Sequence, residues 1–187
     1  MLPEIVGRDE FAALIIRTDY TDEAAWRAVV EEVSRPWGMD GEYDAEIHLV
    51  DDPVWTGATA EAVVTAVMRD EYLSVVFVAD DVTMKSARHA LLVLDPVHED
   101  EDEDLDPMYY QELIDSPPAR EFRATPAAVH EVHANLSIAN MDFQEFAAAA
   151  LADPDGVLRP VDLRTRNTIL ETAVEQGEGP PGDAARV

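Results

Sequence analysis

Leu73-Ser74-Val75-Val76-Phe77-Val78-Ala79 is an almost unbroken apolar run, rich in β-branched residues and closed by Asp80-Asp81. A run this short with so little alternation reads as a strand at the centre of a sheet, covered on both faces. Upstream, Ala13-Leu14-Ile15-Ile16 has the same character and ends in Arg17-Thr18-Asp19. Ala45-Glu46-Ile47-His48-Leu49-Val50 instead alternates polar and apolar, which places it at a sheet edge, and Asp51-Asp52-Pro53 stops it. A helix fits between the first two of these strands. Thr21 is the expected cap, Asp22 and Glu23 sit in the first turn, and Trp26, Val29, Val30 and Val33 recur at helical spacing before Pro36 and Gly38. A second helix starts from Thr59 with Val63, Val64, Val67 and Met68 on one side, after a loop holding Trp55. Three strands joined by two helices make two consecutive βαβ units with parallel strands.

Downstream, only residues 80–89 separate the central run from Ala90-Leu91-Leu92-Val93-Leu94. A parallel crossover needs a dozen residues or more, so this strand is expected to return antiparallel. Arg120-Glu121-Phe122-Arg123-Ala124 alternates again and reads as a last edge strand, with Thr125-Pro126 opening a helix that carries His130 and His133. The expected fold class is α/β. It is a single three-layer domain over residues 1–158, with a mixed, mostly parallel five-stranded sheet and helices on both faces. Residues 97–118 contain six consecutive acidic residues, 99–104, and are expected to form a mobile insertion. Residues 159–176 are expected to form a C-terminal helical extension and 177–187 a disordered tail.

Local physics is most fully specified in Asn135-Leu136-Ser137-Ile138-Ala139-Asn140-Met141-Asp142-Phe143-Gln144-Glu145-Phe146. Asp142 and Glu145 have the spacing of a capping box, and Met141 and Phe146 occupy its hydrophobic-staple positions. Phe143, Phe146, Ala147 and Ala150 then form one apolar helix face. The polar residues before the cap have a local reading, in which Asn ends one helix, Asp begins the next and Ser fills the joint. They also form the best polar constellation in the chain. Asn135, Ser137, Asn140 and Asp142 are therefore the binding candidates.

This segment, the one over residues 17–26 (RTDYTDEAAW), Val50-Asp51-Asp52-Pro53 and Phe77-Val78-Ala79-Asp80 together carry a family resemblance. The chain resembles an uncharacterised actinobacterial family of small acidic proteins, a domain of unknown function with NLSIANMDFQEF-like and RTDYTDEAAW-like segments. The resemblance covers residues 2–158. It implies a domain boundary and no chemistry.

The chain has 187 residues, no cysteine and a formal net charge of −27, with Lys85 as its one lysine. Disulfides and thiolate metal sites are excluded. So strong a negative field argues against nucleic acid or an anionic membrane as partners. No apolar run reaches the ~18 residues of a membrane span, and no basic region precedes an apolar block at the start, so a cytoplasmic location is expected. The acidity has three readings: genome composition or a salty cytoplasm, steering toward a basic protein partner, or binding of a hard cation.

Asp19, Asp51, Asp52 and Asp80 stand at the C-terminal ends of the expected parallel strands, where α/β proteins place ligands. Together they are an alternative Mg²⁺ site for an enzyme or small-ligand sensor, set against the frequency of Asp at turns and caps. There is no glycine-rich phosphate loop, and Lys85 is a loose match for a phosphate clamp. His130 and His133 miss the H-E-x-x-H zinc spacing by one residue and read as surface histidines beside a core helix. None of the serines at 34, 74, 86, 116 and 137 lies in a G-x-S-x-G elbow. The leading expectation is a non-enzymatic interaction or inhibitor/immunity-type module without a cofactor.

Overall fold

The structure is a computed structural model that describes residues 2–96 and 117–160. Its sheet has the order β2-β1-β3-β4-β5-β6. The strands are β1 (Ala13–Arg17), β2 (Ile47–Val50), β3 (Val76–Ala79), β4 (Leu91–Leu94), β5 (Glu121–Ala124) and β6 (Val157–Leu158). β1 lies parallel to both β2 and β3, with Leu14 opposite His48 on one side and Val76 on the other. β3, β4 and β5 run antiparallel to one another in turn, and β6 is parallel to β5. The mixed α/β class with helices on both faces is therefore present, with six strands in place of the expected five. The sixth has two residues, too few to show a period, and its pairing makes β5 an interior strand.

Five α-helices fall among the described residues: α1 (Glu23–Val33), α2 (Ala60–Val67), α3 (Asp81–Lys85), α4 (Val129–Ser137) and α5 (Phe143–Ala152). Alternate strand residues point to two separate cores. Ile15, Phe77, Val93 and Phe122 pack with α1, α4 and α5, whereas Leu14, Ile16, Val76 and Val78 pack with α2 and Trp55. Trp55, read from the sequence as a loop residue, is 1% exposed in a 3-10 turn. It plugs the second core from a connection.

Two local expectations are corrected. Asp22, not Thr21, caps α1, accepting from the Ala24 and Ala25 N–H groups at 2.9 Å, because the Thr21 hydroxyl is bound to Asp19. Met68 is half exposed because α2 ends at Val67, one residue before it. Thr59 caps α2 as expected, and the β3–β4 return is antiparallel around the five-residue α3. The acidic block 99–104, nearly all of the expected helical extension and the tail lie outside the described residues.

Candidate functional site

Arg17 is the last residue of β1 and keeps the inward direction of Ala13 and Ile15, so its guanidinium enters the protein with its side chain 4% exposed. A buried guanidinium requires partners for its donors. Nε donates to the Asp19 carbonyl at 3.1 Å, NH1 to Asp51 at 3.3 Å and NH2 to Glu23 at 2.9 Å. Its plane lies 4.2 Å from the Tyr20 ring centroid and 5.1 Å from that of Trp26, within cation–π range. Trp26 Nε1 donates to the second Asp51 oxygen at 2.9 Å. Burial first, and then the Asp51 charge, push the Tyr20 phenol up to about 12.

Asp80 ends β3 at the same edge of the sheet. It receives NH1 and NH2 of Arg123 at 2.8 and 2.6 Å, and it caps α3 by accepting from the Thr83 N–H at 3.0 Å. Burial acts to raise its carboxyl, but the bonds from Arg123 and Thr83 outweigh burial and hold it below the usual carboxylate range. The remaining strand-end carboxylates serve turns. Asp19 accepts from the Thr21 N–H at 2.8 Å, and Asp52 from the Val54 N–H at 3.0 Å. Lys85, weighed as a phosphate clamp, pairs with Asp81 one helical turn away.

The parallel topology thus brings Asp19, Asp51, Asp52 and Asp80 to one edge, but each is engaged by an arginine, an indole N–H or a backbone cap. Among the described residues, no group of three or more His, Asp or Glu is placed to hold a metal ion. The residues missing from the sequence reading are the cations, Arg17 and Arg123. For Arg17 the available signal was an arginine closing an otherwise fully apolar strand, which demands a buried counter-charge.

The second constellation lies at the opposite pole, where α4 turns into α5. Asp142 accepts from the Glu145 N–H at 2.8 Å while Glu145 accepts from the Asp142 N–H at 2.9 Å, so the capping box is complete. Asn135 donates to the Glu131 carbonyl, Asn140 to Asn135 Oδ1 and Ser137 to the His133 carbonyl, at 2.8, 2.7 and 2.7 Å. Ala139 takes up the left-handed conformation at φ +51°, unusual for a residue with a Cβ, and the Asn140 N–H closes the turn on the Asn135 carbonyl. All four candidates therefore stand close together, with these bonds spent on the joint.

His130 and His133 are not on the surface; they are 6% and 8% exposed. His130 Nε2 lies 2.7 Å from the Val33 carbonyl, and its ring stacks on Trp37 at 5.7 Å. Burial lowers the pKa of His130 against the pull of that carbonyl. Burial, aided by the positive charges of Arg8 and His130, takes His133 down to about 4. Both imidazoles are core groups, and His130 is held inside by the end of α1, through the Val33 carbonyl, and by Trp37 in the turn beyond it. A broad groove of about 900 Å³ runs beside α2, lined by Leu2, Val54, Ala62 and Ala66 with Glu4, Glu61 and Arg69.

No curated protein and no solved structure matches the chain. A family model, described as a domain of unknown function (DUF6924), matches residues 12–161, which take in all six strands of the sheet. The chain belongs to that family of domains of unknown function.

Proposed function

We propose that the chain is a non-enzymatic protein-interaction module, of the inhibitor or immunity type, that uses an acidic surface against a basic partner in the cytoplasm. The observation supporting this reading is the condition of the strand-end carboxylates. Where an α/β enzyme would present free acid, base or metal-binding groups, Asp51 and Asp80 are held by Arg17 and Arg123, and Asp19 and Asp52 close turns. Arg8 and Arg17, each with a side chain 4% exposed, are drawn inward, while most acidic side chains remain at the surface. An excess of exposed acid accelerates encounter with a basic protein and discourages acidic ones.

A second reading, an Mg²⁺-dependent enzyme or small-ligand sensor, is favoured by the shared edge of Asp19, Asp51, Asp52 and Asp80. Two titrations discriminate. Calorimetry with an arginine-rich polypeptide should give binding that weakens as salt is raised, whereas binding indifferent to salt would count against the interaction reading. Thermal melting with millimolar Mg²⁺, Ca²⁺ or Mn²⁺ should leave Tm unchanged. A ligand at 100 times its Kd adds about 2.7 kcal/mol of stability, so a cation site at this edge would be visible and would shift the conclusion to the second reading.

A further inference from the structure

We propose that the docking surface is the pole at which β1 and β3 begin, and that it takes a partner presenting an apolar side chain flanked by Arg or Lys. This deepens the interaction reading and rests on it. Because Leu14 stands opposite Val76 in a parallel pair, the turns leading into β1 and β3 lie side by side. Arg8 fastens them together. Its guanidinium donates to Asp70 at 2.8 Å and to the Ala12 carbonyl at 3.1 Å. The α4–α5 joint is bound to the same pole by the Ser74 and Ser137 hydroxyls, 3.2 Å apart.

Each of these three turns carries a large apolar residue facing solvent: Phe11 at 66%, Tyr72 at 71% and Ile138 at 75% exposure. Single exposed apolar residues are ordinary, but three on turns tied to one another by side-chain bonds form a fixed surface. The bonds made by Asn135 and Asn140 give the Ile138 turn its shape, so their part in recognition is to position Ile138. Exposed Asp9, Glu10 and Glu71 border the two aromatic residues and outnumber the exposed Arg69 beside them, while Arg8 is consumed internally. That acidic border selects the occupant. A second copy of this chain would bring the same acidic border against itself, at a net charge of −27 per chain, whereas a basic partner would neutralise it.

The test is an NMR titration of the full chain with a peptide of alternating Leu and Arg. Shifts should concentrate at residues 9–12, 70–74 and 137–140. The double variant Phe11→Ser/Ile138→Ser should melt like the parent and bind about tenfold more weakly. Leu151→Ser, at an 84% exposed position near the far end of α5, should leave Kd unchanged. Peptide binding with shifts elsewhere, or an undiminished Kd in the double variant, overturns the assignment of this pole and leaves the interaction reading standing. If neither this peptide nor polyarginine binds at low salt, the interaction reading itself fails. A concentration-dependent dimer in sedimentation that the double variant abolishes would make a second copy the occupant and overturn the proposal.

Discussion

Arg123 on β5 reaches across β4 to hold Asp80, at the end of β3, in two parallel N–H···O bonds of 2.8 and 2.6 Å. The same guanidinium donates to the Ala90 carbonyl at 3.2 Å, and Asp80 also caps α3. One planar fork therefore joins three strands and the turn between two of them.

Arg123→Ala should destabilise the fold by about 1.5–3 kcal/mol at pH 7, the range for hydrogen bonds to a charged group. Arg123→Lys should recover only part of that loss, since an ammonium cannot make the paired contact. The Asp80 carboxyl is lowered in the folded state, so its contribution is present above the unfolded Asp value of about 3.9 and is lost as pH falls through the lower folded value. Urea unfolding of parent and Arg123→Ala at pH 7 and near pH 3 checks this. The gap between them should narrow at the acid end, and a constant gap would contradict the pairing.

His133 sets a second acid limit, of a different kind. Its folded pKa is about 4 against about 6.5 unfolded, so the unfolded chain binds the proton first and stability falls as pH drops from 6.5 toward 4. The loss from this one group is on the order of 3 kcal/mol. His133→Gln, which cannot charge, should flatten the dependence of the urea midpoint on pH over that window. Equal slopes in parent and variant would show that His133 is not the group responsible.

At the start of α5, Asp142→Ala should cost about 0.5–2 kcal/mol through loss of the cap. Phe146→Ala, at a position 3% exposed in the larger core, should cost about 3–5 kcal/mol. Guanidinium unfolding should rank them in that order. A cap variant as damaging as the core variant would mean that Asp142 has a partner beyond the N–H of Glu145.

Tyr20 gives a spectroscopic check on the Arg17 centre. Its phenol, at about 12, should ionise later than an ordinary tyrosine near 10, and because the unfolded chain releases its proton first, stability falls as pH rises from 10 through 12. Asp51→Asn removes the charge that opposes ionisation. Ultraviolet titration should then show one tyrosine transition moved to lower pH, and an unchanged curve would separate Tyr20 from Asp51.

What was legible in the sequence was whatever a short window contains. Leu73–Ala79 announced a covered strand because its apolar residues admit no wet face, and Asp142 announced a cap because its partner is three residues away. The choice between Thr21 and Asp22 was hidden, since both side chains can cap and the decision is made by Asp19, which engages the Thr21 hydroxyl. Burial of His130 was hidden for the same reason at longer range. Its partner, the Val33 carbonyl, is 97 residues away in the chain. The aspartates at the strand ends were found and their arginines were not, because an apolar pattern predicts where a carboxylate falls but not which cation meets it in space. The two-residue β6 lies below the length at which a pattern exists at all.

The order β2-β1-β3-β4-β5-β6 divides the sheet into halves by time of synthesis, the first three strands of the chain on one side and the last three on the other. During vectorial emergence from the ribosome, residues 13–79 can assemble their parallel strands before any of the second half has emerged. The outer edge of β3 is then bare, an invitation to wrong pairing between nascent chains. Relief comes quickly, because β4 ends fifteen residues after β3, at Leu94 against Ala79. At about 5–20 residues per second that interval is roughly one to three seconds. A tight α3 in place of a long crossover helix therefore sets how briefly the half-made sheet is sticky.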